Sequence, residues 1–336
     1  MQDIVIVENL RKIYGKNIVA VDNISFRVHE GEIFGFLGPN GAGKSTTIKI
    51  LTTLLEKSSG KATINNLDID ADQAKVRRII GYCSQEVGVD DDLTARENLM
   101  LQCSFHHIPK DRARQKIEEL LKRVRLTDAA DRRLKTFSGG MRKRLDLASS
   151  LVSDPKILFL DEPTTGLDPQ SRLDVWEYLK ELNKLGMTIF LTTQYMEEAD
   201  RLADRLCIVD QGKIVAEGTP AELKAQVGAD KIRLWFKAED TEACEKAAKE
   251  LSNLPNVEEV GKCIAGITTE EGLEITAKNG SAVMTQVVRA LDKAEVPIEQ
   301  LRLTGPTLDE AFLKLTGKTL NVVERKEAVR PGRRRR

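Results

Sequence analysis

The residues best suited to chemistry lie in one glycine-rich stretch and one acidic pair far downstream. Gly38-Pro39-Asn40-Gly41-Ala42-Gly43-Lys44-Ser45-Thr46 fits G-x-x-x-x-G-K-[ST], a spacing in which successive backbone N–H groups wrap phosphate oxygens. The apolar run 33–37 precedes it and helical spacing over 45–55 follows it. The loop N–H groups, the partial positive charge of the helix N-terminus and the Lys44 ammonium then converge on the outer phosphates of a nucleoside triphosphate. Ser45 supplies a hydroxyl where Mg²⁺ takes an oxygen ligand. Asp161 ends a second apolar run, 157–160, so its carboxylate is expected beside the loop, binding Mg²⁺ directly or through water. Glu162 is the candidate general base for a water attacking the terminal phosphate, and the two-residue strand period should aim it away from Asp161.

Two further motifs stand between these. Gln85 follows the apolar run 79–83 and carries an amide able to meet both Mg²⁺ and the attacking water; it is a candidate metal and catalytic residue by position. Ser138-Gly139-Gly140 opens a helical run with a hydroxyl and bare N–H groups, a second anion site. One chain cannot easily bring two such sites to one phosphate, whereas two chains arranged head to tail can.

The elements that must position these groups follow from the pattern. Residues 1 to about 225 alternate β-rich runs (4–7, 18–21, 24–28, 33–37) with helical patterns, an α/β layer fold. Between Gln85 and Ser138 the β character disappears. Thr94 and Glu97 form a capping box and 111–124 reads as a charged amphipathic helix, so about 87–150 is a helical insertion. Strands resume at 157–160, 188–192 and 206–209, and Pro220 opens a closing helix. From 230 the order β-α-β-β-α-β points to a small ferredoxin-like α+β domain over 230–317, with Thr307 and Glu310 capping a last helix. The basic, Pro/Gly-broken stretch 318–336 has nothing to pack.

Bulk properties narrow the class. The chain has 336 residues, 52 Lys plus Arg and 52 Asp plus Glu, so no global field argues for a nucleic-acid partner. Its 5 cysteines are odd in number and lack metal-ligand spacing, which suits a reducing cytosol. No apolar run nears the roughly 20 residues of a membrane span, and the first residues carry no basic and apolar leader pattern. The expected place is the cytoplasmic face of a membrane, held there by another protein.

Taken in order, these motifs resemble the ATP-binding subunits of ATP-binding cassette (ABC) transporters, over residues 1 to about 225. The resemblance implies a P-loop NTPase core, ATP hydrolysis and an ATP-sandwiched homodimer under an integral-membrane permease. It assigns 38–45 to the Walker A loop, Gln85 to the Q-loop, Ser138, Gly139 and Gly140 to the signature, and Asp161 and Glu162 to the Walker B pair. Gly166-Leu167-Asp168 matches the D-loop, which links the two sites in relatives, and Tyr14 sits where an aromatic residue stacks on adenine. Two positions depart from the pattern. Met141 replaces the glutamine that completes the signature, and Gln194 stands where a histidine contacts the γ-phosphate; it can donate an N–H but carries no charge. Both departures, with 137–147 and 305–312, resemble the daunorubicin/doxorubicin-resistance branch, which implies efflux of a drug-like or other hydrophobic compound. The competing readings are a soluble cassette ATPase acting on ribosomes or DNA, and a nucleotide-dependent regulatory or sequestering module.

Overall fold

The computed structural model describes residues 2–15, 17–226, 230–236, 241–264, 271–277 and 280–317. The basic stretch expected over 318–336 lies outside the described residues. The chain divides into two compact units, the second being Ala221–Gly317, so most of the helix Pro220–Ala225 groups with the C-terminal unit.

In the first unit a six-stranded sheet runs in the order Lys213–Gly218, Arg205–Asp210, Ile33–Leu37, Thr188–Thr193, Ile157–Asp161, Ile80–Cys83. All its pairings are parallel except that of the Lys213–Gly218 edge. Its central strands are buried on both faces and read as continuous apolar runs for that reason. Ile157 and Phe159 face a core shared with the helix Lys44–Leu51 and with Phe26, Phe34, Phe36 and Phe190. Leu158 and Leu160 face the other way, into a core with Leu99, Ile117, Leu121 and Leu145 of the helical insertion. That insertion contains the helices Ala95–Phe105, Lys110–Arg123 and Gly139–Ser150. The Thr94/Glu97 capping box forms in full.

A four-stranded antiparallel sheet covers the first core, in the order Ile18–His29, Asp3–Tyr14, Ser59–Ile64, Leu67–Asp68. The two runs read separately at 18–21 and 24–28 are one strand, bulged where Asn23 takes φ 53 and the register with Asp3–Tyr14 shifts. The helix expected over 45–55 stops at Leu51, because the Thr52 hydroxyl bonds back to the Ile48 carbonyl at 2.9 Å and Thr53 turns to φ 60.

The second unit is β-α-β-β-α-β. Its strands Asp230–Trp235, Val257–Ile264, Glu271–Ala277 and Gln300–Thr304 pair antiparallel in the order second, third, first, fourth, the ferredoxin-like arrangement. Helices Thr241–Leu251 and Gly280–Lys293 complete the motif, and helix Leu308–Thr316 follows with its Thr307/Glu310 box formed.

Candidate nucleotide site

Parallel strands all end on one edge, and the chemistry gathers there. The Gly38 loop follows Ile33–Leu37, Gln194 follows Thr188–Thr193, Glu162 follows Ile157–Asp161, and Gln85 lies just past Ile80–Cys83. Ligands of open α/β sheets bind at such carboxyl ends.

The loop is held closely from beneath. A Cβ on Gly38 would meet the Val209 carbonyl at 2.2 Å, and one on Gly43, at φ +100, would meet the Ala20 carbonyl at 2.3 Å. Only glycine lets the loop lie this near both strands. Lys44 opens the following helix and is 4% exposed. Its Nζ donates to the carbonyls of Gly38 at 2.8 Å and Pro39 at 3.1 Å and pairs with Glu162 Oε1 at 3.1 Å. Burial pulls the Lys44 pKa down, and the Glu162 carboxylate works against that pull.

Ser45 Oγ donates to Asp161 Oδ1 at 3.0 Å, and Thr192 Oγ1 donates to the same oxygen at 2.6 Å. Thr192 Oγ1 also accepts the Glu162 N–H at 3.1 Å. Thr192 therefore ties the two acidic residues to the neighbouring strand, a role that sequence reading missed. The only hint was a pair of hydroxyl residues, Thr192 and Thr193, closing the strand Thr188–Thr193.

Glu162 does not follow the strand alternation that the sequence suggested. The strand ends at Asp161, and Glu162 takes φ 47, a left-handed conformation costing a non-glycine residue roughly 1–2 kcal/mol. The turn swings its carboxylate back to the Lys44 ammonium, where the Thr165 hydroxyl also donates to Oε2 at 3.2 Å. Both acidic side chains thus meet the consecutive residues Lys44 and Ser45. Ser45 Oγ and the Asp161 carboxylate are hard oxygen donors side by side, a set that fits Mg²⁺ bound to nucleotide phosphates.

The remaining candidates lie around this cluster. Gln85 is exposed, and Gln194 is half-buried next to Thr193, whose carbonyl accepts the Gly38 N–H at 3.1 Å. Tyr14 is exposed, with the Lys12 ammonium 5.3 Å from its ring centroid. It pairs with Ile18, on the strand whose Ala20 carbonyl underlies Gly43. Asn40, Gly41, Ala42 and Thr46 belong to the loop and its helix.

Ser138, by contrast, sits on the helical insertion, exposed, and its Oγ caps its own helix by accepting the Met141 N–H at 3.2 Å. Among the described residues no bond joins it to the Lys44 cluster. Asp168 likewise caps the helix Pro169–Lys184, accepting the Ser171 N–H at 3.0 Å. Hydrogen bonds from Ser171 hold its carboxyl below the usual range.

Gly140 explains why the turn needs a second glycine. A Cβ there would lie 2.3 Å from Ser171 Oγ and 2.7 Å from Ser171 Cβ. Gly140→Ala is therefore expected to destabilise the chain by about 1–3 kcal/mol in urea denaturation, the usual cost of overpacking. Adding Ser171→Gly, which removes the obstruction, should recover part of the loss.

Glu198 is a second residue that sequence reading missed. Fully buried, it accepts the Thr164 hydroxyl at 2.7 Å and the Trp176 indole N–H at 2.8 Å, which ties the loop after Glu162 to the helix after Asp168. Burial pushes its carboxyl up despite these donors. Its place one turn before Leu202 on the helix Met196–Leu202 was the available hint.

Comparison with known proteins agrees with this geometry. The ABC transporter family profile matches residues 21–165, and that of the ATP-binding protein DrrA1-3-like C-terminal domain matches 218–316. The daunorubicin resistance ATP-binding protein DrrA3 of Streptomyces coeruleorubidus is 41% identical over 321 residues, covering 95% of this chain and 97% of the relative. The chain belongs to the ABC transporter ATP-binding proteins. The activity of this family is ATP hydrolysis, and as an ABC ATP-binding subunit the chain powers export. Among solved structures, CbiO1 of Clostridium perfringens, part of the ABC transporter complex CbiONQ, is similar with TM-score 0.63 and 30% identity, over 67% of this chain and 92% of its own. A dimeric ATP-binding cassette in a post-hydrolysis state bound to ADP and Pi gives TM-score 0.58 and 27% identity, over 64% and 98%. No helix among the described residues of this ABC protein is long and apolar enough to cross a membrane.

Proposed function

We propose that the chain drives export of a drug-like or otherwise hydrophobic compound through a separate integral-membrane permease, working as an ATP-sandwiched homodimer at the cytoplasmic face of the membrane. The observation that carries this reading is the bonded cluster of Lys44, Ser45, Asp161, Glu162 and Thr192 at one sheet edge, in a chain similar along nearly its whole length to a daunorubicin resistance ATP-binding protein.

The loop N–H groups from Gly38 to Thr46 and the Lys44 ammonium bind the β- and γ-phosphates, and Tyr14 stacks on the adenine. Ser45, Asp161 and Gln85 would hold Mg²⁺, which when bound would offset the negative charge of the phosphates. Glu162 accepts a proton from the attacking water as the new P–O bond forms and ADP leaves. Gln194 donates an N–H to a γ-phosphate oxygen. Ser138, Gly139 and Gly140 of a second copy close over the same phosphate, and Asp168 lies at the junction of the two copies. The similarity to a dimeric cassette supports this arrangement.

A cleft lined by Leu54, Tyr82, Gln102, His106 and Ser149 lies between the sheet and the helical insertion. Leu54, which lines the cleft, is 60% exposed, and Phe105, next in sequence to the lining residue His106, is 65% exposed. We assign this cleft to an intracellular segment of the permease. In detergent extracts the full chain should be recovered with a protein of several apolar spans, and Phe105→Asp should reduce that recovery at least tenfold while the chain's own ATPase rate persists. Recovery in ribosomal fractions and none with membranes would instead support the soluble reading.

A further inference from the structure

A buried ionic cluster outside the phosphate site joins two of the parts that the dimer requires. Lys143 and Asp146 lie on the helix Gly139–Ser150 and are 3% and 7% exposed. Asp146 Oδ1 accepts the Gly88 N–H at 3.1 Å, and its Oδ2 accepts the Cys83 thiol at 3.0 Å. Lys143 Nζ is 3.4 Å from that Oδ2 and donates to the Ser84 carbonyl at 2.8 Å. Apart from each other, the side-chain partners of these two charges among the described residues come from residues 83–88, and Gln85 lies between the anchored Ser84 and Gly88.

Ion pairs this deep add little stability over apolar side chains of similar size. Their bonds, however, have direction and fix how two elements sit together. Residues 85–88 are exposed and follow the end of a strand; these bonds tie both ends of the segment, Ser84 and Gly88, to the insertion. Among the described residues, further bonds begin only at Asp90, whose N–H donates to Asn98 Oδ1 at 2.8 Å, and Asp91, which pairs with Arg142 at 3.3 Å. The same helix carries Ser138 as its N-cap.

We propose that Asp146 is a positioning residue that, with Lys143, clamps the Gln85 segment to the helix bearing the Ser138 turn, so that a shift at Gln85 reaches Ser138 as movement of one piece. The clamp rests on the reading that ATP is sandwiched between the Lys44 side of one copy and the Ser138 turn of another. It transmits the state of one phosphate site to the turn presented to the second copy.

The test removes both charges together, so that no uncompensated ion is left buried. Lys143→Met with Asp146→Leu should fold, bind ATP as an isolated chain within twofold of the parent, and exchange its Gly88 amide hydrogen at least tenfold faster. Its turnover should fall at least tenfold. With Glu162→Gln added, its ATP-driven association should weaken at least tenfold against Glu162→Gln alone. Lys143→Met with Asp146→Asn keeps an acceptor for the Gly88 N–H and should hold association and turnover within threefold of the parent. Unchanged Gly88 exchange in the Met/Leu variant overturns the clamp, as does faster exchange with parental turnover and association. If Glu162→Gln alone fails to associate with ATP, the sandwich reading falls, and the clamp with it.

Discussion

Glu162→Gln is expected to leave ATP bound and to slow turnover by about 10²–10⁴-fold, the usual worth of a positioned general base. Glutamine keeps the size of the side chain and its acceptor for the Thr165 hydroxyl, but it cannot take a proton from water. The substitution also removes a carboxylate 3.1 Å from the Lys44 ammonium, freeing that ammonium for phosphate. Nucleotide should therefore be held at least as tightly as by the parent. Steady-state phosphate release and nucleotide titration on the same preparation check both halves. Parental turnover would place the base elsewhere and leave the left-handed backbone at Glu162 without a catalytic reason.

Lys44→Met should have the opposite signature. Charge-assisted hydrogen bonds of about 1.5–3 kcal/mol are lost to the phosphates, which corresponds to roughly 10- to 100-fold weaker ATP binding. The folded chain also suffers, because Glu162 is left buried without its cation and Asp161 loses a nearby positive charge. Breaking a buried pair from one side costs about 3–5 kcal/mol, read as a lower urea midpoint. Combining Lys44→Met with Glu162→Gln should restore much of the stability and none of the affinity. Recovery of ATP binding in that double variant would mean that Lys44 serves the fold and not the ligand.

Much of this site is legible in the sequence because its parts are local. The glycine loop needs a strand before it and a helix after it, and both write their periods into adjacent residues. Asp161 is readable because an apolar run ends there. The capping boxes at Thr94 and Thr307 are also local, as is the β-α-β-β-α-β order of the C-terminal unit. What the sequence concealed depends on contacts across the fold. Thr192 gains its role from a strand that lies beside Asp161 only after the sheet has formed. The direction of Glu162 is set by a left-handed turn that strand alternation cannot foresee. Lys143 and Asp146 look like charges on a solvated helix until residues 83–88 pack over them. The helix Pro169–Lys184 goes unread in the sequence because its N-cap, Asp168, also ends the Gly166-Leu167-Asp168 loop motif.

The proposed export cycle requires ATP to join two copies, with the Lys44 side of one facing the Ser138 turn of the other. Light scattering of the full-length Glu162→Gln chain with millimolar ATP and Mg²⁺ tests this directly. The expected result is a species of twice the monomer mass that holds one nucleotide per chain and reverts to monomer when ATP is removed or when Ser138→Arg is introduced. A chain that binds ATP yet stays at monomer mass would contradict it.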